Sequence, residues 1–92
     1  MEVIWKYPLQ PIPLQTVQMP SGARFLHADV QSGRQLAAWF VVDPGAEAVD
    51  RLVYMVGTGR PLPEPADRHT FLTTVQSGQF VWHFFIEDEV GR

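Results

Sequence analysis

Apolar and polar positions alternate with a period of two along most of this chain, and that period predicts strands. Val3, Trp5 and Tyr7 alternate with Glu2, Ile4 and Lys6, which reads as a half-buried first strand. The next piece, "PLQPIPLQ", carries prolines at 8, 11 and 13. Proline fixes φ and removes a donor, so this piece is an extended connector or an edge. "LQTVQM" makes a short strand, stopped by Pro20 and the turn "PSGA". In "RFLHADVQ", Leu26, Ala28 and Val30 alternate with His27, Asp29 and Gln31. A turn containing Gly33 joins it to "QLAAWFVV", which is apolar on both faces and so belongs in the middle of a sheet or beneath a partner.

"DPGAEA" breaks the pattern. Asp43 can cap and Pro44 suits a first helical position, so one helical turn is expected between Pro44 and Asp50, with Gly45 opposing its growth. "RLVYMV" is a further strand and "RPLPEPADR" a loop. "HTFLTTVQ" and "QFVWHFFIE", joined by Ser77-Gly78, form a second hairpin, and the tail from Asp88 is expected to fray. No segment holds helical spacing over three turns. The predicted class is all-β: a small antiparallel sandwich or partly open barrel of about seven strands, as one domain over residues 1–92. The echo between "VQSGRQLAAWF" and "VQSGQFVWHFF" reads as two hairpins meeting the same turn requirement rather than as a duplication.

Composition narrows the function classes. The chain has 92 residues and no cysteine, which removes disulfides, thiolate metal sites and a cysteine nucleophile. A domain this small has a marginal core, and with two-faced strands at 35–42 and 79–86 a homo-oligomer is expected. The net charge of −3 opposes general nucleic-acid binding, which needs a basic face. Six of the seven basic residues are nevertheless arginine (Arg24, Arg34, Arg51, Arg60, Arg68 and Arg92), whose planar fork suits phosphate or carboxylate. The longest apolar run, Leu36 to Val42, is far short of the ~20 residues of a membrane span, and the start carries no basic region before an apolar run. A soluble, cytoplasmic protein is expected.

Candidate chemistry is sparse. Ser21, Ser32 and Ser77 each precede a glycine in a turn and none sits in a nucleophile elbow. His27, His69 and His83 are isolated, without metal-ligand spacing, so no metal, no cofactor and no enzyme are expected. Glu87, Asp88 and Glu89 read as a solvated cluster. The one suggestive stretch is "YMVGTGRPLPEP". Gly57-Thr58-Gly59 can present consecutive amides to an anion, Thr58 adds a hydroxyl, Arg60 a guanidinium, and the prolines at 61, 63 and 65 pre-order the loop. The competing reading is a strand ending at two glycines. The three tryptophans can stack on a base, and they are also what a small β-domain needs to fill its core.

The order of these pieces resembles a widespread family of short phage and prophage proteins, known chiefly as a domain of unknown function. The resemblance rests on "IWKYPL", "VQMPSGARFLHADVQ", "LAAWFVVDP", "VGTGRPLP", "FLTT" and "VWHFF", and so spans nearly the whole chain. The family more often has histidine after Gly-Thr-Gly and leucine before Trp39; Arg60 and Ala38 depart from that. The resemblance implies an all-β fold and an accessory role in a phage, and it supplies no established activity. By analogy with small phage proteins that blunt host defence, the expected function is non-enzymatic capture of a nucleotide-like anion in the cytoplasm of the host cell. Gly57, Thr58, Gly59, Arg60 and Arg24 would meet phosphate, with Trp39 or Trp82 stacking on the base. The alternative is a protein–protein module that docks a host or virion protein through an edge strand or an aromatic patch.

Overall fold

A computed structural model describes residues 1–31 and 33–89. Ser32 and Arg92, named above, lie outside the described residues. Seven strands form: β1 (Val3–Leu9), β2 (Leu14–Pro20), β3 (Arg24–Gln31), β4 (Gln35–Val42), β5 (Ala48–Gly57), β6 (His69–Ser77) and β7 (Phe80–Glu87). They pair into a three-stranded sheet, β1-β4-β3, and a four-stranded sheet, β2-β5-β7-β6, all antiparallel. The fold is therefore an open two-sheet sandwich. No helix among the described residues is long and apolar enough to cross a membrane.

The two segments read as apolar on both faces became the inner strands. β4 lies between β1 and β3, and β7 between β5 and β6. Their inward residues make the core: Leu36, Ala38, Phe40 and Val42 of β4 meet Phe84 and Ile86 of β7, with Val53 of β5 and Met19 of β2. Phe40 is the hub, with Tyr7 and Phe25 edge-on to its ring at 5.7 and 5.6 Å. Ala37 and Ala38, on opposite faces of β4, are both 0% exposed.

Both flanking strands that face each other across the sandwich, β3 and β6, carry a bulge: at Leu26, between Phe25 and His27, and at Leu72, between Phe71 and Thr73. A bulge inserts an unpaired residue and resets the alternation. The expected face of β3 holds at Ala28 and Val30 and changes at Leu26. Phe25 and Ala28 point inward, while Leu26 is left exposed. Every sheet edge is blunted, by these bulges in β3 and β6, by Pro8 in β1 and by Pro20 ending β2.

Two more expectations change. No helical turn forms between Pro44 and Asp50. Asp43 accepts from the Gly45 and Ala46 amides, through its side chain and its carbonyl, each at 3.0 Å, and the chain is already strand at Ala48. The only helical turn among the described residues is a 3-10 turn at Ala66–Arg68. Nor does the tail fray at Asp88. The Asp88 amide donates to the Arg68 carbonyl at 2.9 Å, and its carboxylate accepts from the Thr70 hydroxyl at 2.6 Å.

Candidate functional site

Residues 57–60 form a closed turn. Gly57 ends β5 opposite Trp82. The Thr58 amide donates to the Val81 carbonyl at 3.2 Å, and the Arg60 amide donates to the Gly57 carbonyl at 3.1 Å. The Thr58 hydroxyl lies 2.7 Å from Nε2 of His83, whose Nδ1 lies 2.9 Å from the Thr74 hydroxyl. Of the donors expected to face an anion, the Thr58 amide is thus spent inside the fold, because backbone groups at a strand end take the nearest carbonyl. The Thr58 amide therefore takes no part in the cradle expected of the Gly57-Thr58-Gly59 amides. Gly57 has another reason to be glycine: a Cβ there would sit 3.2 Å from Cζ3 of Trp82. Gly59, at φ +88°, makes the turn itself.

The remaining predicted residues separate. Trp82 faces inward at the hairpin end of the sandwich, in register with Gly57 and Val75. Trp39 is on the outer face of the three-stranded sheet, its ring 6.0 Å from that of His27. Arg24 sits at the far end, 3.2 Å from Glu2. The structure therefore gathers Gly57, Thr58 and Arg60 near Trp82, and leaves Arg24 and Trp39 elsewhere.

Two clefts open between the sheets, one at each end. The first, about 760 Å³, has an apolar floor of Leu9, Leu36, Met55, Phe84 and Trp82. Its rim is polar, with Gln10, Asp29, Arg34, Thr74 and Gln76 among its residues. Val30 and Phe80 lie on the inward faces of their strands here yet remain 41% and 55% exposed. Phe80 stacks on Trp82 at 5.9 Å and 23°. Arg34 is held at φ +67°, a backbone state unusual for a residue with a Cβ. A concave cleft of this size with an apolar floor and polar groups around it can take a small molecule.

The second cleft, about 610 Å³, lies between the Ser21–Phe25 segment, Arg51, Thr70 and the Asp88–Glu89 segment. Arg51 is only 7% exposed; its Nε donates to the Glu87 carbonyl at 3.0 Å and its Nη1 approaches Sδ of Met19 at 3.8 Å. Burial pushes the guanidinium pKa down, opposed by the carboxylates of Glu89, Asp88 and Glu87. Glu89 reaches back to the β2–β3 turn, where its carboxylate accepts from the Ser21 hydroxyl at 2.5 Å and the Gly22 amide at 2.8 Å. The sequence reading missed Arg51 as an inward residue. The signal was present: it occupies the same face as Val49 and Val53.

Among the described residues no three acidic or histidine side chains converge as a metal site. Ser21 serves Glu89 and has no histidine partner. No curated protein and no solved structure matches this chain. A family model described as a domain of unknown function, DUF7352, matches residues 1–91, and the chain belongs to that family.

Proposed function

We propose that this protein is a non-enzymatic binding module that captures a small planar ligand in the cleft at Trp82. The observation that carries this reading is the open end of the sandwich: Val30 and Phe80 are exposed and Trp82 is half-buried beside a cavity of about 760 Å³ with an apolar floor and a polar rim. An aromatic ring inserted there would complete the core. Stacking on an aromatic side chain contributes about 1–3 kcal/mol per ring. The charged rim consists of Arg34 and Asp29, one of each sign, so the cleft favours a ligand with at most one anionic group. That narrows the expected nucleotide-like ligand to a nucleoside or a nucleoside monophosphate. With the phage accessory role that the sequence resemblance implies, the ligand would be a host signal held without turnover.

The test is isothermal titration of the full chain with nucleosides, monophosphates and cyclic dinucleotides, repeated on Trp82→Ala. Loss of one stacked ring predicts about 5- to 150-fold weaker binding. Absence of binding across the panel at millimolar concentration sinks the reading.

A second reading has its own observation. Leu14, Tyr54, Phe85 and Phe71 lie side by side across all four strands on the outer face of the larger sheet, and Leu14 and Phe71 are 50% and 51% exposed. With every edge blunted, a protein partner would dock on this face, and a second copy of the chain is the occupant this reading commits to. Light scattering at micromolar concentration decides it: a dimer that Phe71→Glu dissociates supports it, and a monomeric wild type ends it.

A further inference from the structure

The geometry points to a carboxylate-binding site in the second cleft, formed by the Pro20–Gly22 turn and Arg51 and filled in cis by Glu89. A small carboxylic acid enters the same donors when the Glu89 side chain leaves them. This site is independent of the Trp82 cleft.

The donor set is built into the fold. The Ala23 amide closes the turn on the Pro20 carbonyl at 3.2 Å, and Gly22 holds φ +84°. That is the geometry of a turn that requires glycine at its third position. It leaves the Gly22 amide and the Ser21 hydroxyl pointing the same way. Each serves a different oxygen of one carboxylate, Oε1 from Gly22 and Oε2 from Ser21. Two donors spaced for two oxygens match a planar carboxylate. Arg51 supplies fixed positive charge nearby: it is more than nine-tenths buried, and Glu89 is the first carboxylate that offsets its burial. A buried cation needs such a counter-charge, and here the foremost one follows the last strand, with Asp88 and Glu87 adding to it.

Glu89 therefore acts as an internal ligand. Bonding of this kind competes with free ligand at the effective concentration of a short tether, of order millimolar. The cleft beside it, about 610 Å³, has room for the rest of a small acid, bordered by Thr70 and Arg24.

The test uses the isotopically labelled full chain, with the Gly22 amide resonance as the reporter and sodium formate as the probe. In wild type the amide should lie downfield, as a donor to carboxylate. Glu89→Gln should move it upfield. Formate should then return it saturably, at about tenfold lower concentration than any response of the wild type. Arg51→Met in the Glu89→Gln background should weaken the formate response about tenfold or more. If that variant does not fold, Ser21→Ala takes its place, with the same direction expected. The Trp82 indole resonance should stay fixed throughout, which separates this site from the other cleft. The proposal falls if Gly22 is indifferent to Glu89→Gln, or if formate moves it equally in both proteins. Tighter binding of inorganic phosphate than of formate would overturn the carboxylate assignment.

Discussion

Gly57→Ala tests why the Gly-Thr-Gly stretch carries glycines. If the stretch were an anion cradle, both glycines would serve backbone exposure. The structure gives them different tasks. Gly59 holds φ +88°, with nothing near the position of an added Cβ. Alanine there meets only the backbone penalty of the left-handed region, about 1–2 kcal/mol. An alanine Cβ at Gly57 would instead lie 3.2 Å from Cζ3 and 3.6 Å from Cε3 of Trp82. Ordinary carbon contacts lie at about 3.5–4.0 Å, so the indole must retreat by a few tenths of an ångström. Overpacking a closed core costs about 1–3 kcal/mol. Trp82 has the open cleft beside it and can tilt, which puts Gly57→Ala near the low end, about 1 kcal/mol. For a domain of this size that is a fall of about 4–8 °C in Tm.

The two alanine variants should thus lose similar stability, while only Gly57→Ala alters the indole. The assay is urea unfolding of both, with the Trp82 indole N–H resonance assigned by Trp82→Phe. A Gly57→Ala protein with wild-type stability and an unmoved indole would refute the steric account. A Gly59→Ala protein that moves the indole as much would refute the division of labour.

Two further outcomes are expected. The Tyr7 hydroxyl is buried with no hydrogen-bond partner among the described residues, and burial raises its pKa. Tyr7→Phe keeps the edge-on ring contact with Phe40 and removes an orphaned polar group, so it should stabilise by about 1 kcal/mol, read from the urea midpoint at neutral pH. The raised pKa means the unfolded chain loses this proton first, from about pH 10 upward. Stability is therefore intact below that pH and declines as pH climbs through the folded value, and Tyr7→Phe should flatten that part of the alkaline decline. Arg34→Gly relieves a positive φ and should stabilise by about 1 kcal/mol, while weakening any singly anionic ligand of the Trp82 cleft. Calorimetric Tm and titration on the same variant check both directions, and a destabilised Arg34→Gly would refute the strain.

The strands were legible because each is a local pattern. "QLAAWFVV" carries its two-sided character in eight residues, and that placed β4 at a sheet centre without knowledge of its neighbours. The failures are non-local. Nothing within "VGTGR" reveals that, more than twenty residues later, the Val81 carbonyl will take the Thr58 amide and the His83 ring will meet its hydroxyl. The tail read as solvated because its partners, Ser21 and Gly22, come from the second loop of the fold. The bulge at Leu26 is a third kind of miss: a strict period of two assigns it to the core, and one unpaired residue is enough to turn it outward. Arg51 was the avoidable one, since alternation alone put it inside.

The two clefts also differ in how their cation is balanced, and this sets what each can bind. At the Trp82 end, Arg34 shares the rim with Asp29, which is fixed in β3 by its bond to the Val30 amide and its approach to His27 at 3.7 Å. That carboxylate is carried by a strand residue at the rim, so an incoming anion meets it, and binding must come mainly from the rings. At the Arg51 end the foremost balancing carboxylate, Glu89, follows the last strand and accepts from the Ser21 hydroxyl and the Gly22 amide. Removing it exposes donors and a buried charge together, and a replacement anion is then favoured by both. A single sandwich thus offers an apolar opening with a fixed counter-charge and a polar opening with a removable one. Only the second exchanges one carboxylate for another, and the full chain should answer formate there only once Glu89 is displaced.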